Sequence, residues 1–151
     1  MIIFVELKID FNTCPNISVG NNSIEFVGLA RNLGLILDPT LSWNNHVSKI
    51  VSKVHSSLFS LKVHRHSLSI NLRIKLVQSL IFSNFDYSCV AFFSLDKEQN
   101  ERLEKTLNSC IRFIFRIPRF FHITPHRRQL NWHTANNRRK YFLGLLKWLP
   151  P

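Results

Sequence analysis

Residues 31–47 read RNLGLILDPTLSWNNHV, and the order of residue types in this stretch decides how the chain is organised. The apolar run Leu33-Gly34-Leu35-Ile36-Leu37 has β character and meets Asp38-Pro39. Proline has no backbone N–H to give to a sheet ladder, and it biases the residue before it away from helical dihedrals. The strand must therefore end there. Beyond it, Trp43, Val47, Ile50, Val51, Val54, Leu58 and Leu61 recur at steps of three and four, which predicts an amphipathic helix. Ser42 is the expected N-cap, its hydroxyl placed to accept from an early helical N–H. His46, Lys49, Lys53 and Ser57 fall mostly on the other faces of that helix.

Upstream of this junction the chain reads as β-rich. Met1 to Phe11 is a strand candidate, while Pro15-Asn16 and Gly20-Asn21-Asn22 supply turn chemistry. Ser23–Leu29 and Leu33–Leu37 are then further strands that can pair as a hairpin. Downstream the pattern is helical. Ser67–Asn71 breaks the first helix. A second starts near Asn71, with Leu72, Ile74, Leu76, Val77, Leu80 and Ile81 as a broad apolar surface, and continues into FSNFDYSCVAFF, residues 82–93. Asp96 with Gln99 has the spacing of a capping box. The helix it opens carries Leu103, Leu107, Cys110, Ile111 and Ile114 along one side and ends near Pro118. Thr124-Pro125 reads as an N-cap followed by proline at the first helical position. Thr134 is placed to cap a last helix through Leu149. The expected fold class is α+β, mainly α: a β-rich segment over 1–38, a helical bundle over 39–117 and a basic helical extension over 118–151.

With 151 residues, 45% of them apolar, the chain is long enough to bury a sizeable core. It contains no run of 18 apolar residues, so no membrane span is expected. The start, MIIFVELKIDF, lacks a basic n-region and meets Glu6 early, unlike a signal peptide. Cys14, Cys89 and Cys110 are odd in number and widely spaced, which suits reduced thiols in an intracellular protein. The net charge of +11 is unevenly distributed: from Cys110 to Pro151 there are nine basic residues and no acid. Such a field attracts polyanions, and phosphate backbones are the usual intracellular partner. A solvated cationic face is the plain alternative.

Three ordered blocks carry a resemblance. The pattern N-L-G, three hydrophobic residues, D, then L-S-W-x-x-H-hydrophobic is the first, at residues 32–47. LVQSLIFSNFDYSCVAFFSL (76–95) and TLNSCIRFIFRIPRFFHITPHRRQLNW (106–132) are the others. Together, over roughly residues 17–149, the chain resembles the part of non-LTR (jockey-like, LINE-type) retrotransposon reverse transcriptases that follows the polymerase palm. The resemblance implies a primer-grip-like strand pair followed by an α-helical thumb that holds an RNA or RNA/DNA template–primer duplex. Leu33 and Gly34 match the small hydrophobic-Gly element of that grip. Glycine lets a backbone approach a primer end without a Cβ in the way. A bend inside a strand uses it equally well.

The departure from that family is in the chemistry. Polymerases hold two metal ions about 3.5–4 Å apart with clustered carboxylates. The family draws its Mg2+ ligands from a Tyr/Phe-Ala-Asp-Asp palm motif, which does not occur in this sequence. No catalytic residue, metal ligand or small-molecule substrate is therefore expected here, and the missing palm and fingers region is a natural partner. The spacing of His64-x-His66 and of His122 with His126 completes no tetrahedral zinc set. His64, Arg65 and His66 end a helix, where cations suit the dipole. Serine–histidine or cysteine–histidine catalysis lacks any accompanying elbow pattern.

The retained function then rests on Arg112, Arg116, Arg119, Arg127, Arg128, Arg138, Arg139 and Lys140, interleaved with Phe120, Phe121, Trp132 and Tyr141. Arginine's planar fork donates two hydrogen bonds to one phosphate. The aromatics either stack on unpaired bases or pack a helical core. No base-reading module is present, so binding should be backbone-directed and salt-sensitive. Two other readings are a decayed, non-functional relic of an element and a basic helical scaffolding module.

Overall fold

Two antiparallel hairpins precede six α-helices in the computed structural model, which describes residues 17–24 and 27–147. The strand expected over Met1–Phe11 and the Pro15-Asn16 turn lie outside the described residues. Strands β1 (Ile17–Val19) and β2 (Asn22–Ile24) pair around Gly20-Asn21, with Gly20 at φ 62°. Strands β3 (Ala30–Asn32) and β4 (Leu35–Leu37) pair around Leu33-Gly34, at φ 44° and 83°. A two-residue loop with both residues at positive φ matches the right-handed twist of the flanking strands.

This arrangement corrects the expected strand bounds. Ser23–Leu29 is not one strand, because Val27–Leu29 lie in no strand and β3 begins at Ala30. Leu33 and Gly34 belong to the turn, so the apolar strand begins at Leu35.

Asp38 organises the next turn. Its Oδ1 accepts from Thr40 N (3.0 Å), Thr40 Oγ1 (2.7 Å) and Ser42 N (3.0 Å), and its Oδ2 accepts from Ser42 Oγ (2.7 Å). Partial burial pushes the carboxyl pKa up, but the bonds from Ser42 and Thr40 together outweigh it and hold it below its ordinary value. Ser42 is thereby drawn out of the N-cap position. Helix α1 (Asn44–Val63) instead starts after Trp43, which sits in left-handed backbone at φ 63° without a side-chain cap bond. Ser42 Oγ still accepts a long bond from Asn44 N, 3.4 Å.

The apolar stripe of α1 is as its spacing predicts: Val47, Ile50, Val54 and Leu58 are buried. His46 departs from the prediction and joins the buried face. After a turn, Ser69 Oγ accepts from Leu72 N (3.3 Å) and opens α2 (Ile70–Leu76). A π-helical turn, Val77–Ile81, leads into α3 (Phe82–Asp86). The extra residue in that turn rotates the apolar face, so adjacent Ile81 and Phe82 are both buried while Leu80 stays exposed.

Helix α4 (Lys97–Phe115) begins with the expected capping box: Gln99 N donates to Asp96 Oδ1 (2.7 Å) and Asp96 N to Gln99 Oε1 (3.2 Å). The Gln99 amide also donates to the Ser42 carbonyl and to Asn44 Oδ1 (2.8 Å), fastening the start of α4 to the start of α1. Leu103, Leu107, Cys110 and Ile114 then pack with Val47, Val54, Leu58, Val77 and Ile81 in one core. Each valine, leucine or isoleucine among them contributes about 1.5–3 kcal/mol on burial.

Helix α5 (Thr124–Leu130) follows Ile123 as its cap residue, which places Pro125 one position later than expected. Helix α6 (Ala135–Lys147) is capped by Thr134 Oγ1, which accepts from Asn137 N at 3.1 Å. Ala135, Leu130, Trp132 and Phe142 join the same core. The fold is α+β and mainly helical.

Candidate nucleic-acid interface

The C-terminal ends of α1 and α4 meet beside the loop that follows α4. Arg116 ends α4 in left-handed backbone (φ 58°), and Ile117 N donates back to the Arg112 carbonyl, 3.1 Å. Phe121 N donates to the Pro118 carbonyl at 3.3 Å, closing a tight turn with Arg119 and Phe120 at its corners. The Arg112 guanidinium donates to the same carbonyl and pins the turn to the helix. Arg116 Nη2 donates to the Arg65 carbonyl (2.7 Å), tying the end of α4 to the end of α1. Buried Arg73 donates to the carbonyls of Phe113 (3.1 Å) and Ile114, two acceptors that the helix end leaves unpaired.

These ties frame a cleft of about 430 Å³ lined by Lys62, Arg65, Arg112, Arg116 and Arg119, with no carboxylate among its lining residues. The carbonyl ends of two helices offset part of the repulsion among these cations. These cations line a space that is open to solvent.

The other basic positions are placed differently. Arg127 donates to Glu104 and to Asn108. Arg138 makes a two-bond ion pair with Asp86, its Nη2 lying 2.6 Å from Oδ2, and its guanidinium lies over the Phe82 ring at 4.1 Å. Arg139 is 3% exposed and donates to Asn100; burial lowers its pKa, with Cys89 and Glu104 opposing. Arg128 and Lys140 are exposed and line none of the cleft. Of the eight basic residues singled out by sequence, Arg112, Arg116 and Arg119 come together. Lys62 and Arg65 join them from about fifty residues upstream. Arg65 carries a signal in sequence, the basic end of the first helix, but dipole compensation accounts for that cluster without a ligand.

Leu33 and Gly34 lie elsewhere, at the tip of the β3–β4 hairpin, with Leu33 81% exposed. Tyr87 Oη donates to the Leu33 carbonyl (2.5 Å), and a Cβ on Gly34 would lie 3.1 Å from Tyr87 Cε1. Glycine is thus needed twice, for its positive φ and for the tyrosine. His46 lines a smaller cavity of about 170 Å³ with Gly34, Lys49, Lys53 and Tyr87. Its Nδ1 accepts from Ile36 N (3.3 Å) and its ring meets Phe92 edge-on at 4.9 Å. Burial, with Lys49 and Lys53 adding to it, pushes its pKa down. His126 packs against Phe115 at 4.7 Å. Among the described residues, no group of three or more His, Cys, Asp or Glu side chains could hold a metal ion, and no helix is long and apolar enough to cross a membrane. No protein-family model, curated protein or solved structure matches this chain.

Proposed function

We propose that this chain is a palm-to-thumb portion of a non-LTR retrotransposon reverse transcriptase, and that it binds template–primer nucleic acid through the phosphate backbone. The observation that carries the binding is the acid-free cleft of Lys62, Arg65, Arg112, Arg116 and Arg119. Guanidinium groups suit phosphate because their fixed fork matches two of its oxygens. The three sequence blocks over 32–47, 76–95 and 106–132 support the family. Polymerisation itself would rest on palm carboxylates and Mg2+ that this sequence does not supply. The site of action is then intracellular.

A filter-binding titration of the full chain against duplex and single-stranded RNA, at two salt concentrations, tests the reading. Neutralising three to five phosphates predicts a duplex salt slope of about −2.7 to −4.5. A folded, monodisperse sample that binds neither nucleic acid at low salt would sink it. Exposed Phe59 and Val63 on α1 favour a second reading, a decayed and marginally stable remnant. Aggregation without defined affinity would support that one instead.

A further inference from the structure

The Pro118–Phe121 turn holds two large apolar side chains in solvent beside the cleft. Phe120 is 93% exposed and Phe121 64% exposed, whereas Phe82, Phe85, Phe92 and Phe113 are buried. The turn is closed by its own Phe121-to-Pro118 bond and anchored to α4 by Arg112 on the Pro118 carbonyl. Phe120 follows Arg119 directly, so an aromatic face and a cleft cation are presented by adjacent corner residues of one rigid turn. The five cations and the lack of any lining acid specify a polyanion as occupant.

We propose that the strand held in this cleft is unpaired, with a base stacked on Phe120 and Phe121 while its phosphates meet Arg119 and Lys62. This rests on the phosphate-binding reading above. In a duplex the base faces are covered by their neighbours and only edges are offered. A single strand exposes those faces, and a pre-placed ring takes them without sequence preference. A rigid turn also loses little freedom when the base docks.

Fluorescence anisotropy on the full chain separates the possibilities, using labelled oligo-uridine RNA, oligo-thymidine DNA and a blunt duplex of equal length. The wild type is expected to prefer the single strands. Combined Phe120→Ala and Phe121→Ala should weaken single-strand affinity by about 5- to 100-fold while leaving duplex affinity and the salt slope unchanged. Phe120→Trp should retain affinity, and the emission it adds should be quenched by single strands but not by duplex. Equal loss for duplex and single strand, or no loss at all, overturns the stacking proposal while phosphate binding stands. Failure of every nucleic acid to bind at low salt removes the phosphate-binding reading itself.

Discussion

The arginines at the end of α4 and Arg127, Arg138 and Arg139 on α5 and α6 belong to the same acid-free stretch of sequence, yet they occupy opposite electrostatic environments. Arg112, Arg116 and Arg119 border an open cleft, and the bonds that Arg112 and Arg116 make there go to backbone carbonyls. Arg127 and Arg138 are matched to Glu104 and Asp86, and Arg139 to Asn100. All three partners lie upstream of the acid-free stretch. A positive run in sequence therefore overstates the positive surface: part of it is neutralised by carboxylates that the fold brings in from afar. Part of the charge that remains gathers where two helix ends converge, joined there by Lys62 and Arg65 from the end of α1.

The largest expected effect lies on the internally engaged side. Arg139→Ala removes a buried stem and leaves Asn100 Oδ1 without its donor, and should lower stability by about 2–4 kcal/mol in urea titration. An unchanged midpoint would return Arg139 to the surface set. Asp86→Ala should be milder, at about 1–2 kcal/mol, because the pair with Arg138 is partly exposed. A double-mutant cycle with Arg138→Ala should show coupling, and strict additivity would mean that the pair is incidental.

A buried base without an acid partner gives a smaller effect. Histidine in the unfolded chain titrates near its ordinary value of 6.5, while His46 in the fold titrates lower. The unfolded state thus binds more protons below that pH, and stability falls as pH drops through this window. His46→Gln should flatten the fall seen in urea midpoints between neutral and mildly acidic buffer; an identical slope would contradict the assignment. Smallest in stability, and largest in binding, are Lys62→Ala and Arg119→Ala. Each should stay within about 0.5 kcal/mol of wild-type stability while reducing the nucleic-acid salt slope by about 1. A loss of stability there would erase the distinction between the two groups of cations.

Much of the fold follows from short-range rules. The break at Asp38-Pro39, the stripe from Val47 to Leu58 and the Asp96–Gln99 capping box depend on residues within a turn or two of one another. Errors arose where a nearby group competed. Asp38 captured the Ser42 hydroxyl and displaced it from the cap position. Gly34 took a positive φ and moved the strand start to Leu35. The site was legible in residue type but not in membership, because Asp86 and Arg138 are 52 positions apart.

The sequence by itself determined the helical character, the β-rich approach to Asp38-Pro39, the excess of arginine and the absence of acids after Cys110. These follow from composition, periodicity and local stereochemistry. Only the tertiary structure decided which arginines are free, that Lys62 and Arg65 share their cleft, and that Phe120 and Phe121 stand in solvent rather than in the core. The reason is physical. An ion pair or a buried ring depends on distance in space, and the packing of α1, α4 and α6 sets that distance among residues that the sequence keeps far apart.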